Sequence, residues 1–403
     1  MEAPRECDLV VVGAGIVGLA AARELCLRHH GLAVCAIERE ATIAAHQTGR
    51  SSGVVHAGIY YRPGSLKARL CVEGAAELYA YCSERGIRAE RTGKLIVATA
   101  PDELERLDEL ERRGAANGVE GLRRISSDEI GELEPHAVGI AALHSPNTGV
   151  TDFAEVAAAY AADVEARGGA VVTGCPVEAV GERAGSAIVR HRGGSTQARA
   201  ALICAGAWSD RLAVAAGAPS EPRIVPFRGS YLRLRPNRAH LVRASVYPVP
   251  DPELPFLGAH LTRGIDGEVL LGPSALMVGA RDAYRPWRLR ARDLRETLAW
   301  PGTWRLARRF WRTGLTELRR TASRRTFAAE ARRFVPELEP NDFGPGPVGI
   351  RGQAVARDGR LVDDFVISRT GPTLHVRNAP SPAATAALPL ARLIADHVDD
   401  LLG

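Results

Sequence analysis

Lysine is almost missing. Only Lys67 and Lys94 are lysines in 403 residues, although lysine and arginine together number 52. Positive charge is therefore carried by arginine. With the abundant alanine, this is the usage of a GC-rich bacterial genome. The net charge of +5 is too small to argue by itself for nucleic acid. The seven cysteines, at 7, 26, 35, 71, 82, 175 and 204, form no Cys-x-x-Cys pair. An odd number at irregular spacing describes reduced thiols of a cytoplasmic protein, not a disulfide framework or a zinc site. No apolar run reaches the roughly 20 residues of a membrane span, and "LVVVGAGIVGLAAA" is short and broken by glycine. The start "MEAPRECD" is acidic and polar, unlike the basic start of a signal peptide. No His/Cys/Asp/Glu cluster has metal spacing, and no G-x-S-x-G or P-loop is present. There is no internal repeat and no low-complexity linker. The length suits about two to three domain-sized units.

What is present begins with "DLVVVGAGIVGLAAARELCL". The run Leu9 to Val12 predicts a buried strand, and Gly13, Gly15 and Gly18 form G-x-G-x-x-G before a helix. The first glycine permits the tight turn and the second lets a pyrophosphate approach the backbone. The third lets helix and strand pack closely. Free N–H groups at the helix start would face phosphate. A second strand, "LAVCAIERE", ends in Glu38, a carboxylate suited to ribose hydroxyls. This ordered unit predicts a dinucleotide fold and leaves NAD and FAD both open.

The next stretch, "HQTGRSSGVVHAGIYYRPGSLKA" from His46 to Ala68, favours FAD. A plain NAD unit would continue with another helix and strand. Here a polar, glycine-punctuated loop follows, and a flavin reaches far enough to need one. Gln47, Thr48, Ser51, Ser52 and Gly53 offer hydroxyls and backbone N–H groups to pyrophosphate and flavin.

These residues resemble the D-amino-acid-oxidase-like FAD oxidoreductases and, within them, the L-2-hydroxyglutarate dehydrogenase/oxidase family. The loop differs from that family's pattern at Arg50 and Ser51, where His and Asn are usual. "GKLIVAT", "TGVTDF", "VPFRGSYLRL", "FLGAHLTRGIDGEVLLGPSA", "GIRGQAV", "LVDDFV" and "NAPSPAATAALPLA" follow in family order. Further departures are Ser230, Gly264, Ser274 and Gly352. The resemblance implies FAD contacts from Ile16, Val17, Arg39, Val54, Val177, Ala205, Gly206, Trp208, Arg351 and Gly352. It adds the segment Pro380, Ser381, Pro382, Ala383 and Ala384.

The expected fold is α/β. A discontinuous Rossmann-like FAD-binding domain (1–90, 145–218 and 346–403) joins a substrate domain (91–144 and 219–345) with an antiparallel sheet roofing the flavin. "TDFAEVAAAYAADVEARGG" reads as a helix capped by Asp152, with Glu155 completing a capping box. Ser381 and Pro382 read as the N-cap and first residue of the C-terminal helix, whose positive end the resemblance sets against the flavin pyrimidine edge. Asp363 and Asp364 read as a turn.

Between Arg285 and Arg333 there are fifteen arginines against four acids, with Trp287, Trp300, Trp304 and Trp311. Arginine and tryptophan on helices suit a peripheral membrane contact, on the inner face of the membrane. A solvated helical subdomain with inward tryptophans is the competing expectation.

The implied chemistry is oxidation of a 2-hydroxy acid, foremost L-2-hydroxyglutarate to 2-oxoglutarate, by hydride transfer from C2 to flavin, with oxygen or quinone as final acceptor. Arg351 is the expected carboxylate clamp, because its planar fork matches a carboxylate. His56 is the expected base and His260 its rival. Arg50, Tyr60, Tyr61, Lys67 and Arg263 are the candidates for the substrate's far end. Another hydroxy acid, an amino acid or an alcohol would fit the same fold. So would an FAD electron carrier docked on a membrane without its own substrate.

Overall fold

A computed structural model describes residues 2–252, 254 and 256–403. Its centre is the strand Glu6–Val12, which pairs in parallel with Val34–Ile37 on one side and Gly194–Ile203 on the other. Ala170–Val172 extends the sheet beyond Val34–Ile37. Leu9 to Val12 are all buried, as a strand covered on both faces requires. Period-two alternation divides them. Leu9 and Val11 join Leu19, Leu25, Tyr160, Leu390 and Ile394 on one face, while Val10 and Val12 join Ile37, Val180, Val189 and Leu212 on the other.

On its edge away from Glu6–Val12, the long strand Gly194–Ile203 serves two partners. Its first half closes an antiparallel meander with Ser186–His191 and Val177–Arg183, and its last residues pair in parallel with Thr373–Asn378. Helices Ile16–Arg28, Phe153–Ala166 and Ala387–Leu402 cover one face. Asp152 caps the second of these by accepting from Ala154 N at 2.7 Å.

A nine-stranded sheet forms the roof. Its longest pair is Arg223–Leu234 with Phe343–Val355. Val269–Gly272, His260–Arg263, Ser245–Pro248, Lys94–Ala98, Ala141–Ser145 and Arg123–Ser126 follow in order. The expected antiparallel sheet is broken once, because Ser245–Pro248 runs parallel to Lys94–Ala98. These two strands come from distant segments, so no hairpin dictates their sense.

Four helices, Ala291–Ala299, Pro301–Arg309, Trp311–Ala322 and Arg324–Ala331, carry the arginine-rich stretch. Trp300 packs inward and donates from Nε1 to Val355 O at 3.1 Å. The other three do not pack inward. Trp287 is 91% exposed, Trp304 59% and Trp311 56%. The inward side of Trp311–Ala322 instead buries Glu317, which accepts from Ala275 N at 2.6 Å and pairs with Arg320. Arg211 anchors these helices through Asp293 and Glu296, both at 2.6 Å, and Arg281 reaches Asp210.

Candidate active site

The parallel strands end at a cavity of about 1110 Å³ that runs from the glycine turn to the underside of the roof. Sites for ordinary small ligands occupy about 300–1,000 Å³, so this one can take a dinucleotide with a small molecule beside it. Its floor is backbone. Gly13 has φ +104°, and a Cβ there would lie 2.5 Å from Cys204 O. A Cβ on Gly18 would lie 2.1 Å from Gly13 O. The fold itself needs both glycines. Gly15 is different: an added Cβ would meet only Thr48 Oγ1, at 3.3 Å. That empty cradle at the start of helix Ile16–Arg28 fits a pyrophosphate. Thr48 Oγ1 accepts from Ile16 N at 3.1 Å and so caps this helix from a distant loop.

Glu38 is buried, accepting from Ala14 N and Glu40 N, each at 2.9 Å. Its carboxylate is thus fixed where a ribose would pass. Arg39 lies over the Trp208 ring at 4.3 Å, and His46 packs on the same indole at 4.8 Å. With Val177, Ala205 and Gly206 they line the end suited to adenine.

At the other end the cavity passes Gln47, Arg50, Ser51, Ser52, Val54, His56, Arg351, Gly352 and the turn Pro380 to Thr385. This turn corrects one expectation. Ser381 and Pro382 belong to a turn closed by Ala383 N to Pro380 O at 2.8 Å, and the helix begins only at Ala387. Gly74 holds that start in place, since a Cβ there would sit 2.5 Å from Thr385 O. Ser381 Oγ is instead 3.3 Å from His56 Nε2, and Thr385 Oγ1 accepts from His56 N at 3.1 Å. Burial holds the His56 imidazole well below its usual range, reinforced by Lys94, His260 and Lys67.

His260 descends from the roof. Its Nδ1 donates to Gly258 O at 2.9 Å, which fixes the tautomer and leaves the Nε2 lone pair free. Its ring stacks on Tyr247 at 3.9 Å. Burial lowers it to about 3, so both imidazoles are neutral, each with one ring-nitrogen lone pair that can accept a hydrogen bond. Arg351 faces the cavity with its guanidinium 4.7 Å from the Phe256 ring centroid. It forms no ion pair with a described carboxylate. Desolvation pushes it below its usual range, opposed by Asp363, Tyr61 and Tyr231.

Five expected residues stand outside the cavity lining. Gly53 (φ +74°) faces Thr151 O, 2.6 Å from where a Cβ would lie. Lys67 Nζ is taken by Asp363 at 2.7 Å. Tyr60 and Tyr61 flank the site from behind, above Lys94 and Lys67 respectively. Arg263 donates to Val242 O at 3.0 Å on the far side of its strand. Alternation along His260–Arg263 puts Arg263 and His260 on opposite faces. Arg50 reaches only the rim, stacked on Tyr284 at 4.0 Å and bonded to Ala45 O. Of the family departures, Ser230 and Gly264 lie off the cavity, and Ser274 lines it while accepting from Ser230 N at 3.1 Å.

Among the lining residues that were not anticipated are Tyr231, Tyr247, Phe256 and Thr385. Tyr231 is legible in retrospect. Along Arg223–Leu234, Phe227, Gly229 and Tyr231 alternate onto the cavity face. Burial pushes the Tyr231 hydroxyl up to about 12, opposed by the neighbouring Ser52 and Arg351.

Residues 8–397 match the family model described as FAD dependent oxidoreductase. The chain is 42% identical over 408 residues to the mitochondrial L-2-hydroxyglutarate dehydrogenase of Homo sapiens, covering 97% of this chain and 88% of that protein. It is 41% identical to the L-2-hydroxyglutarate dehydrogenase of Indibacter alkaliphilus over 94% of this chain and 96% of that one. Among solved structures, the FAD-bound L-α-glycerophosphate oxidase of Mycoplasma pneumoniae superposes with a TM-score of 0.79 at 23% identity, covering 100% of this chain and 95% of that one. Glycine oxidase of Geobacillus kaustophilus gives 0.74 at 18% identity, covering 98% and 95%. The chain thus belongs to the FAD-dependent oxidoreductases and, among them, to the L-2-hydroxyglutarate dehydrogenase family.

Proposed function

We propose that the protein oxidises L-2-hydroxyglutarate to 2-oxoglutarate. The observation that carries this reading is Arg351, a cavity-facing guanidinium with no described carboxylate to pair with, near two neutral imidazoles. Glu38, the N–H groups at Gly15 and Val17, Ser52 and the Pro380–Thr385 turn would hold FAD. The bound flavin supplies the two-electron acceptor for the hydrogen on C2. Arg351 takes the C1 carboxylate in its fork and so fixes C2. His56 takes the hydroxyl proton as the C2 hydrogen leaves with its electron pair, and the carbon becomes a ketone. His260 hydrogen-bonds the substrate from the roof through Nε2. Tyr231, Tyr247 and Phe256 close the roof and exclude water. The segments 1–90, 145–218 and 346–403 would carry FAD and also contribute His56 and Arg351 to the substrate, while 91–144 and 219–345 build most of the roof. A carrier without its own substrate would have no use for the free Arg351.

The test is turnover with a dye acceptor on both enantiomers of 2-hydroxyglutarate, with chemical identification of the product. The L form alone should give 2-oxoglutarate, and Arg351→Leu should lose the activity while keeping its flavin. Equal turnover by Arg351→Leu would reject the assignment.

A second reading concerns where the electrons go. Trp311, Leu315 and Leu318 recur on one face of their helix and are 56%, 47% and 51% exposed. Trp287, Leu289 and Trp304, also within 285–333, are 91%, 69% and 59% exposed. No helix of the described residues is long and apolar enough to cross a membrane. We infer that this face rests on an anionic bilayer and that a membrane quinone is the acceptor. Vesicles of phosphatidylglycerol and phosphatidylcholine should sediment the protein, and Trp304→Ala/Trp311→Ala should release it. Indifference to both vesicles and substitutions would refute the contact.

A further inference from the structure

A five-carbon dicarboxylate needs a second cation, and the expected candidates are all engaged elsewhere. Lys67 is held by Asp363 at 2.7 Å, Arg263 by Val242 O at 3.0 Å, and Arg50 lies on Tyr284 at the rim. A further buried cation, beside the His56 and His260 end of the cavity, is Lys94. It starts the fully buried strand Lys94–Ala98 and is 1% exposed. It makes no ion pair with any described carboxylate. Its ammonium lies 4.2 Å from the Tyr247 ring centroid and 5.3 Å from that of Tyr60. Tyr247, His56 and His260 form the adjoining end of the cavity, and the charge of Lys94 is felt by both histidines.

A buried ammonium without a counter-ion is costly, and a neutral side chain of similar volume would normally replace it. The chain keeps lysine here although it uses arginine almost everywhere else. A compact ammonium takes less room beside the two rings than a guanidinium would.

We propose that Lys94 is the specificity-determining charge for the substrate's distal carboxylate, which docks at the cavity end closed by His56, Tyr247 and His260. The inference rests on the reading given under Proposed function. Lys94 acts from behind the Tyr247 wall, so it is a positioning residue and not a catalytic one. Burial lowers its ammonium to about 7, and an arriving dianion would supply the missing counter-charge.

The experiment compares L-2-hydroxyglutarate with L-2-hydroxyvalerate, which has the same carbon count and lacks the distal carboxylate. Lys94→Met should raise KM for the dicarboxylate by about tenfold or more. It should cut the dicarboxylate-over-monocarboxylate preference in kcat/KM by about tenfold and retain FAD, with any change shared by both substrates reporting the histidines that feel its charge. Lys94→Arg should recover part of the preference. Parallel losses on both substrates, or an unchanged dicarboxylate KM, would overturn the proposal. Should neither variant fold, wild-type inhibition decides: glutarate should bind at least about tenfold more tightly than valerate, and equal binding would overturn it. Failure of the wild type on L-2-hydroxyglutarate would instead strike the underlying reading.

Discussion

On the proposed reading, the floor and the roof of the cavity recognise their ligands in different ways. The floor does it with backbone: Gly13, Gly15 and Gly18, the N–H groups after them, and a carboxylate fixed by two more N–H groups. The roof does it with side chains on strands far apart in sequence: Tyr231, Tyr247, His260 and Arg351. The floor is specified within about forty residues of a βαβ unit. The roof exists only after the sheet has assembled. The difference teaches that one cavity can carry a local, general cofactor grip and a non-local, substrate-specific one.

The largest effect should come from breaking the floor. Gly13→Val puts a branched side chain at φ +104° and 2.5 Å from a carbonyl. We expect no FAD-loaded protein, checked by the flavin absorbance of the purified chain. Next come the reacting groups. Arg351→Leu should lower kcat/KM on the order of a thousandfold, and His56→Gln about a hundredfold or more, with flavin content unchanged in both. His260→Gln should cost less than His56→Gln. The reverse order in steady-state kinetics would exchange their roles.

The floor was legible because each of its signals is local. Gly13 to Gly18 lie beside Glu38 in chain order, and the loop Gln47 to Ser52 reaches the cavity as its composition suggested. Its misreadings arose where a local signal had a structural use: Gly53 turns toward Thr151 O, and Ser381 bonds toward His56 without capping a helix. The roof was only partly legible. Arg351 and His260 could be picked out by residue type. Tyr247 and Lys94 could not be paired from sequence, because Ser245–Pro248 and Lys94–Ala98 meet only through a long-range parallel register. Arg263 failed because one residue's shift along a strand reverses its face.

Smaller effects sharpen the contrast. Lys94 titrates near 7 when folded against its ordinary 10.5. Between those values the unfolded chain binds a proton that the folded chain does not, so stability rises with pH in that window. Lys94→Met should flatten this slope, as read by thermal unfolding from pH 7 to 10. The smallest effect belongs to the outer helices. Trp304→Ala/Trp311→Ala should leave turnover unchanged and alter stability by no more than about 0.5 kcal/mol.

The most direct test of the central claim is an anaerobic titration of the FAD-loaded protein with L-2-hydroxyglutarate, followed by flavin absorbance. The account predicts bleaching near one equivalent, with 2-oxoglutarate formed in step and no bleaching by Arg351→Leu at the same concentration. A flavin that stays oxidised in the wild type, or that bleaches equally in the variant, would contradict it.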